Sequence, residues 1–302
     1  MTDAYDELSL FHENAEEYGL AFDRENPPTV RRASVEAPSG HQISALVWGD
    51  GDPEVVFLHG GAQNAHTWDT VAIALDRPLL AIDLPGHGHS QWRSAKDYRP
   101  QLIADDIAHT IATLAPGAST LVGMSLGGLT AIATVARRPR LVERLVVIDV
   151  TPGVNREKAS VVTNFVVGPE SFASFDEILE RTALFNPTRS EASLRRGILH
   201  NAHELDDGSW TWRYDRFTPE GLDDVDQLTH FDDLWADIES IEHPMLFLKG
   251  SDSPVVDEDD LTELRRRKPD VEIVVVDGAG HSIQGDQPVE LARLLDGFLA
   301  AR

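Results

Sequence analysis

Six short, nearly continuous apolar runs punctuate the chain from residue 54 onward: Val55–Leu58, Leu79–Ile82, Leu121–Val122, Leu145–Ile148, Met245–Leu248 and Ile273–Val276. A stretch that is apolar on consecutive positions buries both faces of a strand, as happens where helices cover a sheet on both sides. Between the runs, apolar residues return at helical spacing, as in Ile103, Ile107, Ile111 and Leu114, and again in Leu291, Leu294, Leu295 and Phe298. Strand and helix alternate, so the expected fold class is α/β, with a mostly parallel sheet flanked by helices. Ahead of this pattern, residues 29–48 read as an antiparallel hairpin around Pro38-Ser39-Gly40-His41.

The alternation breaks between residues 153 and 240. We therefore expect a core built from residues 1–152 and 241–302, with a mostly helical lid inserted at 153–240. The insertion is rich in aromatic residues, which can form a small core of their own or wall a binding cavity. Phe165, Trp210 and Trp212 are the candidates for contact with a substrate.

Ser119-Thr120-Leu121-Val122-Gly123-Met124-Ser125-Leu126-Gly127-Gly128 reads as a buried strand that runs into a Gly-x-Ser-x-Gly elbow, followed by an Ala-rich helix that Pro139 stops. The pentapeptide alone arises by chance as a plain turn. The strand before it and the helix after it supply the context in which a serine is presented as a nucleophile, so Ser125 is the candidate. The other apolar runs also end in reactive groups, and loops at the carboxyl ends of parallel strands are where active groups gather. His59-Gly60-Gly61-Ala62-Gln63-Asn64 follows the first run, and its glycines allow close backbone approach to a substrate. Gly61 and Leu126 are the expected oxyanion donors. Asp277-Gly278-Ala279-Gly280-His281 follows the last run and provides the candidate base, His281. Two carboxylates compete for the third place, Asp149 after the sixth strand and Asp252 after the seventh.

Four segments, His59-Gly60-Gly61, Asp83-Leu84-Pro85-Gly86-His87-Gly88-His89-Ser90, Gly123 to Gly128 and Gly278-Ala279-Gly280-His281, together resemble the α/β-hydrolase family over roughly residues 30 to 300. Most of that family carries its acid after the seventh strand in a Gly-x-x-Asp pattern. Here Gly250-Ser251-Asp252-Ser253-Pro254 puts Ser253 at that spacing. With Ile148-Asp149-Val150-Thr151-Pro152, this departure resembles a subgroup of small bacterial esterases whose acid has moved to the sixth strand. The resemblance implies a Ser125-His281-Asp149 triad with Ser253 as a fourth member, and Asp252 as the alternative acid. It also implies a serine hydrolase acting on carboxylic esters without a cofactor. The same triad serves carbon-carbon, thioester and lactone hydrolysis, and the fold also serves as a ligand-binding receptor.

Composition narrows the partners. The 51 acidic against 26 basic residues leave a formal charge of −25, which repels nucleic acid and anionic membranes. The expected partner is a small, neutral acyl compound; no pattern sets an oligomeric state. Zero cysteines exclude disulfides and thiolate metal sites. The first thirty residues lack the basic start and apolar stretch of a signal peptide, so cytoplasm is the expected location. No metal site is expected. His87 and His89 sit in a family-like loop, His200 and His203 form an isolated i, i+3 pair, and Arg265-Arg266-Arg267-Lys268 closes a helix begun by acidic residues.

Overall fold

The computed structural model describes residues 5–166, 168–216 and 231–301. In chain order the strands are β1 (Val30–Glu36), β2 (Gln42–Trp48), β3 (Val55–Leu58), β4 (Leu79–Ile82), β5 (Thr120–Met124), β6 (Arg144–Ile148), β7 (Ser171–Phe172), β8 (Ala202–Glu204), β9 (Trp210–Trp212), β10 (Met245–Gly250) and β11 (Glu272–Val276). The helices are α1 (Phe11–Tyr18), α2 (Asp69–Leu75), α3 (Pro100–Leu114), α4 (Leu126–Arg137), α5 (Arg156–Val166), α6 (Phe175–Phe185), α7 (Glu191–Asn201), α8 (Leu234–Ser240), α9 (Glu258–Arg267), α10 (Ile283–Asp286) and α11 (Pro288–Ala300).

Eight strands form one sheet in the order β1-β2-β4-β3-β5-β6-β10-β11. Only the β1–β2 and β2–β4 pairs are antiparallel. The expected hairpin forms, with Gly40 at φ 79° closing its turn. Strand alternation then divides the core. Val56, Leu58, Leu80, Ile82, Leu145, Val147 and Phe247 face α3, α4, α8 and α9, whereas Val55, Phe57, Leu79, Val122, Val146 and Leu248 face α2 and α11. Both faces are covered, which is why the runs are apolar at every position. Ile103, Ile107 and Ile111 are fully buried along α3, as their spacing predicted. Among the described residues, no helix is long and apolar enough to cross a membrane.

Register decides where the chemistry can be. Leu58 pairs with Gly123, Met124 with Ile148, and Ile148 with Leu248, so the strands end along one edge. The residues that come next, His59, Ser125 and Asp149, are thereby placed on that edge, and the loop after β11 brings His281 to them.

The segment between β6 and β10 carries α5, α6, α7 and α8, and also a three-stranded antiparallel sheet in the order β7-β9-β8. Helices dominate the described part of the segment, as expected, and this small sheet is an addition to them. The turn joining β8 to β9 holds Asp207-Gly208 with Gly208 at φ 84°, and a Trp-Thr-Trp alternation follows it. That is a hairpin signal, carried on strands too short to register as a period. Residues 217–230 of the insertion lie outside the described residues.

Candidate active site

Ser125 stands between β5 and α4 at φ 51° and ψ −120°, a conformation that costs a residue with a side chain about 1–3 kcal/mol. Its surroundings hold it there. The Ser125 N–H donates to the Ile148 carbonyl at 3.1 Å, tying the elbow to the next strand. A Cβ on Gly127 would lie 2.4 Å from the Leu58 carbonyl oxygen, so the helix can follow the elbow only with glycine at that position.

The Ser125 hydroxyl donates to His281 Nε2 at 3.0 Å, and His281 Nδ1 donates to Asp149 Oδ2 at 2.8 Å. A carboxylate facing Nδ1 requires that nitrogen to carry the proton, which leaves Nε2 free to accept one. Asp149 is fully buried at the end of β6 and adopts φ 53°. A buried carboxylate needs its lone pairs filled. The Gly250 N–H donates to Oδ1 at 3.0 Å, and the Ser253 hydroxyl donates to Oδ2 beside the histidine. Asp252 takes no part in this arrangement. It is exposed, with its N–H on the Ala279 carbonyl at 2.9 Å and its carboxylate accepting from Ser251 Oγ at 3.2 Å.

A cavity of about 360 Å³ opens over the serine, lined by Gly60, Gly61, Ser125 and His281 from the core. Leu126 is the first residue of α4, and among the described residues neither its amide nor that of Gly61 is used by a protein acceptor. The inserted segment contributes Phe165, Phe185, Leu194, Ile198 and Trp212 to the wall. Trp210, expected there as well, does not line the cavity. Its ring lies edge-on to Phe175 at 5.1 Å. Trp212 packs against Phe165, Phe172 and Tyr214, and this small apolar cluster includes Ala62 of the loop after β3. The insertion's aromatics therefore form a core of their own and also supply a wall.

Sequence reasoning overlooked the N-terminal segment. Helix α1 lends Asn14 and Tyr18 to the cavity, and Arg196 of α7 reaches back to Asn14 Oδ1 at 2.9 Å and to Glu17. The available signal was Phe11 and Ala15, one helical turn apart and both buried.

His59 and His87 take structural roles. His59 Nε2 accepts the Leu84 N–H at 2.9 Å, and burial lowers the imidazole to about 4, so it stays neutral and joins the loops after β3 and β4. His87, likewise buried and lowered to about 3, bonds the Pro85 carbonyl, while His89 lies near Glu7. His200 and His203 separate, because β8 begins between them. His200 instead meets His66 and Asp69, a trio whose nitrogen and oxygen atoms lie within 4.8 Å of one another. Their spacing suits a metal, but the two rings are stacked at 3.9 Å with planes 12° apart, so their in-plane lone pairs do not converge on one point. His66 is already engaged through Nδ1 with Asp69 at 2.9 Å and through Nε2 with Glu7 at 3.1 Å. Burial alone would lower it, yet these carboxylates raise it to about 9. Within the basic run, Arg266 and Arg267 pair with Glu263, and Lys268 pairs with Asp270.

An eight-stranded sheet, a strained serine between strand and helix, and an acid and histidine arriving from later strand ends form one constellation. The family profile described as "Alpha/beta hydrolase family" matches residues 55–294. The chain belongs to the alpha/beta hydrolase family. Within it, the chain is 43% identical over 304 residues to Esterase Rv0045c of Mycobacterium tuberculosis, covering 98% of this chain and 97% of that one. A crystal structure of that esterase superposes with a TM-score of 0.84 at 42% identity and covers 100% of both chains. The crystal structure of E-2-(acetamidomethylene)succinate hydrolase gives a TM-score of 0.79 at 26% identity, covering 90% of this chain and 100% of that one.

Proposed function

We infer that this hydrolase cleaves carboxylic esters through an acyl-enzyme on Ser125. The observation that carries the reading is the continuous relay from Ser125 Oγ to His281 Nε2 at 3.0 Å and from His281 Nδ1 to Asp149 at 2.8 Å. The 43% identity to an esterase supports the bond type.

In this reading Ser125 Oγ attacks the ester carbonyl while His281 takes its proton. The oxygen that becomes negative is held by the Gly61 and Leu126 amides, donors that are already in place before reaction. His281 then gives its proton to the departing alcohol. Water enters by the same route in reverse and releases the acid. Asp149 remains ionised throughout, holding the imidazole in its reactive tautomer and stabilising the imidazolium, while Ser253 holds the Asp149 carboxylate. Nucleophile, base and donors all come from this chain, so the proposed chemistry calls on no cofactor. The 153–240 insertion acts as the lid: Phe165 and Trp212 shape the acyl site, and the substrate is a small molecule.

A fluorophosphonate probe tests the assignment. Peptide mass analysis should place one adduct on Ser125, and Ser125→Ala should hydrolyse none of a panel of short-chain esters, thioesters, lactones and diketones. Full turnover by Ser125→Ala would overturn the mechanism, and a preference for a bond other than the ester would overturn the substrate class.

A further inference from the structure

Gln63 follows the glycine pair of the oxyanion loop, and its side chain folds back onto that loop. Gln63 Oε1 accepts the Gly60 N–H at 3.1 Å and the Gln284 Nε2–H at 3.3 Å. Its Nε2 donates to Ser282 Oγ at 3.3 Å, and Ser282 is the residue next to His281. Two donors meet Oε1, so the opposite amide orientation would set donor against donor, and the network itself fixes the side chain's direction. Gln284 is almost fully buried in α10 and also reaches Thr67 Oγ1 at 3.4 Å. One glutamine side chain therefore links the loop that carries the oxyanion donor to the loop that carries the base.

The loop needs such a restraint. Ala62 sits at φ 58°, a left-handed conformation that a residue with a side chain adopts only when its surroundings impose it. A Cβ on Gly60 would lie 3.3 Å from Ser125 Cβ and 2.6 Å from Met124 Sδ, so this backbone rests directly against the nucleophile. On the other side, Asn201 at the end of α7 donates to the Ala62 carbonyl at 2.5 Å. By accepting the Gly60 N–H, Gln63 takes that amide out of the cavity and leaves the Gly61 amide as the donor the loop can offer to a developing oxyanion.

We propose that Gln63 is a positioning residue that sets the Gly61 amide against the reacting carbonyl and holds its distance to His281. The proposal rests on the acyl-enzyme reading above and adds a residue that acts through the Gly61 amide, although it also borders the cavity. Because oxyanion donors act in the transition state, losing their alignment lowers kcat and leaves KM nearly unchanged. Small misplacement of such a group costs up to about 100-fold, so Gln63→Met, which keeps the volume and removes all three bonds, should lower kcat by roughly 10- to 100-fold.

The experiment pairs steady-state kinetics on a short-chain ester with the affinity of a trifluoromethyl ketone, whose adduct with the serine carries the oxyanion. Gln63→Met should weaken the ketone by about the same factor as kcat/KM, with KM within about threefold of the parent chain. Gln284→Met removes only one of the three bonds and should show a smaller loss of the same kind. Unchanged kcat in Gln63→Met, or a fall in kcat with unchanged ketone affinity, would overturn the proposal. Ser125→Ala measured in parallel separates the two readings: turnover without Ser125 sinks the acyl-enzyme, whereas an inactive Ser125→Ala beside a normal Gln63→Met sinks the positioning role alone.

Discussion

The strand-end edge and the inserted segment both face the same cavity, yet they are held in place by different forces. Ser125 and Asp149 stand on backbone ladders: the Ser125 N–H bonds the Ile148 carbonyl, and the Asp149 N–H bonds the Leu248 carbonyl at 2.8 Å. The insertion reaches the cavity through side chains, with Trp212 against Phe165, Asn201 on Ala62, and Arg196 on Asn14 and Glu17. A backbone ladder tolerates changes of side chain around it, whereas a side-chain clasp fails one residue at a time. On the proposed mechanism, the chemistry rests on the part that depends least on side-chain identity, and selectivity on the part that depends most.

The largest break in this comparison is at the acid. Asp149→Asn leaves an amide that favours the wrong imidazole tautomer and cannot stabilise imidazolium. The equivalent change in serine proteases lowers kcat on the order of 10⁴-fold, and we expect a loss of that size here. Asp252→Asn should leave kcat within about twofold, because among the described residues the Asp252 side chain bonds only Ser251. Steady-state rates on one ester decide it, and a crippled Asp252→Asn beside a near-normal Asp149→Asn would move the acid to β10.

Next comes Ser253. Its hydroxyl shares Asp149 Oδ2 with the histidine and accepts the Val255 N–H at 3.2 Å. Ser253→Ala removes both bonds, and the one to the Asp149 carboxylate, worth about 1.5 kcal/mol, is the one that bears on the histidine, so kcat should fall about tenfold with KM unchanged. A loss approaching that of Asp149→Asn would show that the carboxylate turns away without it, and the edge would then be less self-supporting than the ladders suggest.

These two regions were also unequally legible in the sequence. The elbow could be recognised because a strand, a glycine-flanked serine and a helix must occur in that order for the backbone to turn so sharply. Asp149 and Ser253 were visible as a pair only because Gly250-x-x-Ser253 departs from the usual spacing. The sheet followed from apolar runs that alternate between the α3–α4 face and the α2–α11 face. In the insertion, β7 spans two residues and β8 and β9 three each, too few for a period of two to show. Trp210 and Trp212 share that short strand, yet only Trp212 reaches the cavity, since the difference lies in what each ring meets. Gln63 was in view as part of the glycine loop, but nothing local says that its amide reaches Ser282.

A smaller effect sharpens the insertion's side of the comparison. Trp212→Ala and Phe165→Ala should change the ratio of kcat/KM between a short and a long acyl ester several-fold, while Trp210→Ala leaves it nearly constant. A chain-length series measured on the three variants reads this directly. Equal shifts from all three would mean that the segment acts through its packing as a whole.

The smallest effect concerns the joint between the two regions, where His66 of the core stacks on His200 of α7. Facing them are Glu7 and Tyr5 from the N-terminal segment, Asp69 from α2, and Arg32, which pairs with Glu7. His66 rises from its ordinary 6.5 to about 9, burial opposing the shift and Asp69 and Glu7 driving it. A proton held more tightly in the folded than in the unfolded chain stabilises the fold fully below about 6.5, and that contribution fades as pH climbs through about 9. His200 runs the other way: burial and the neighbouring imidazolium lower it well below 6.5, so its contribution is present above 6.5 and lost in acid. The joint should be firmest between these limits. Melting temperatures from pH 5 to 10 should show the parent chain's advantage over His66→Gln shrinking by several degrees between pH 7 and pH 10, and the advantage over His200→Gln shrinking below pH 6. A gap that stays constant across the range would mean that the pair joins core and insertion by shape alone, with no share carried by charge.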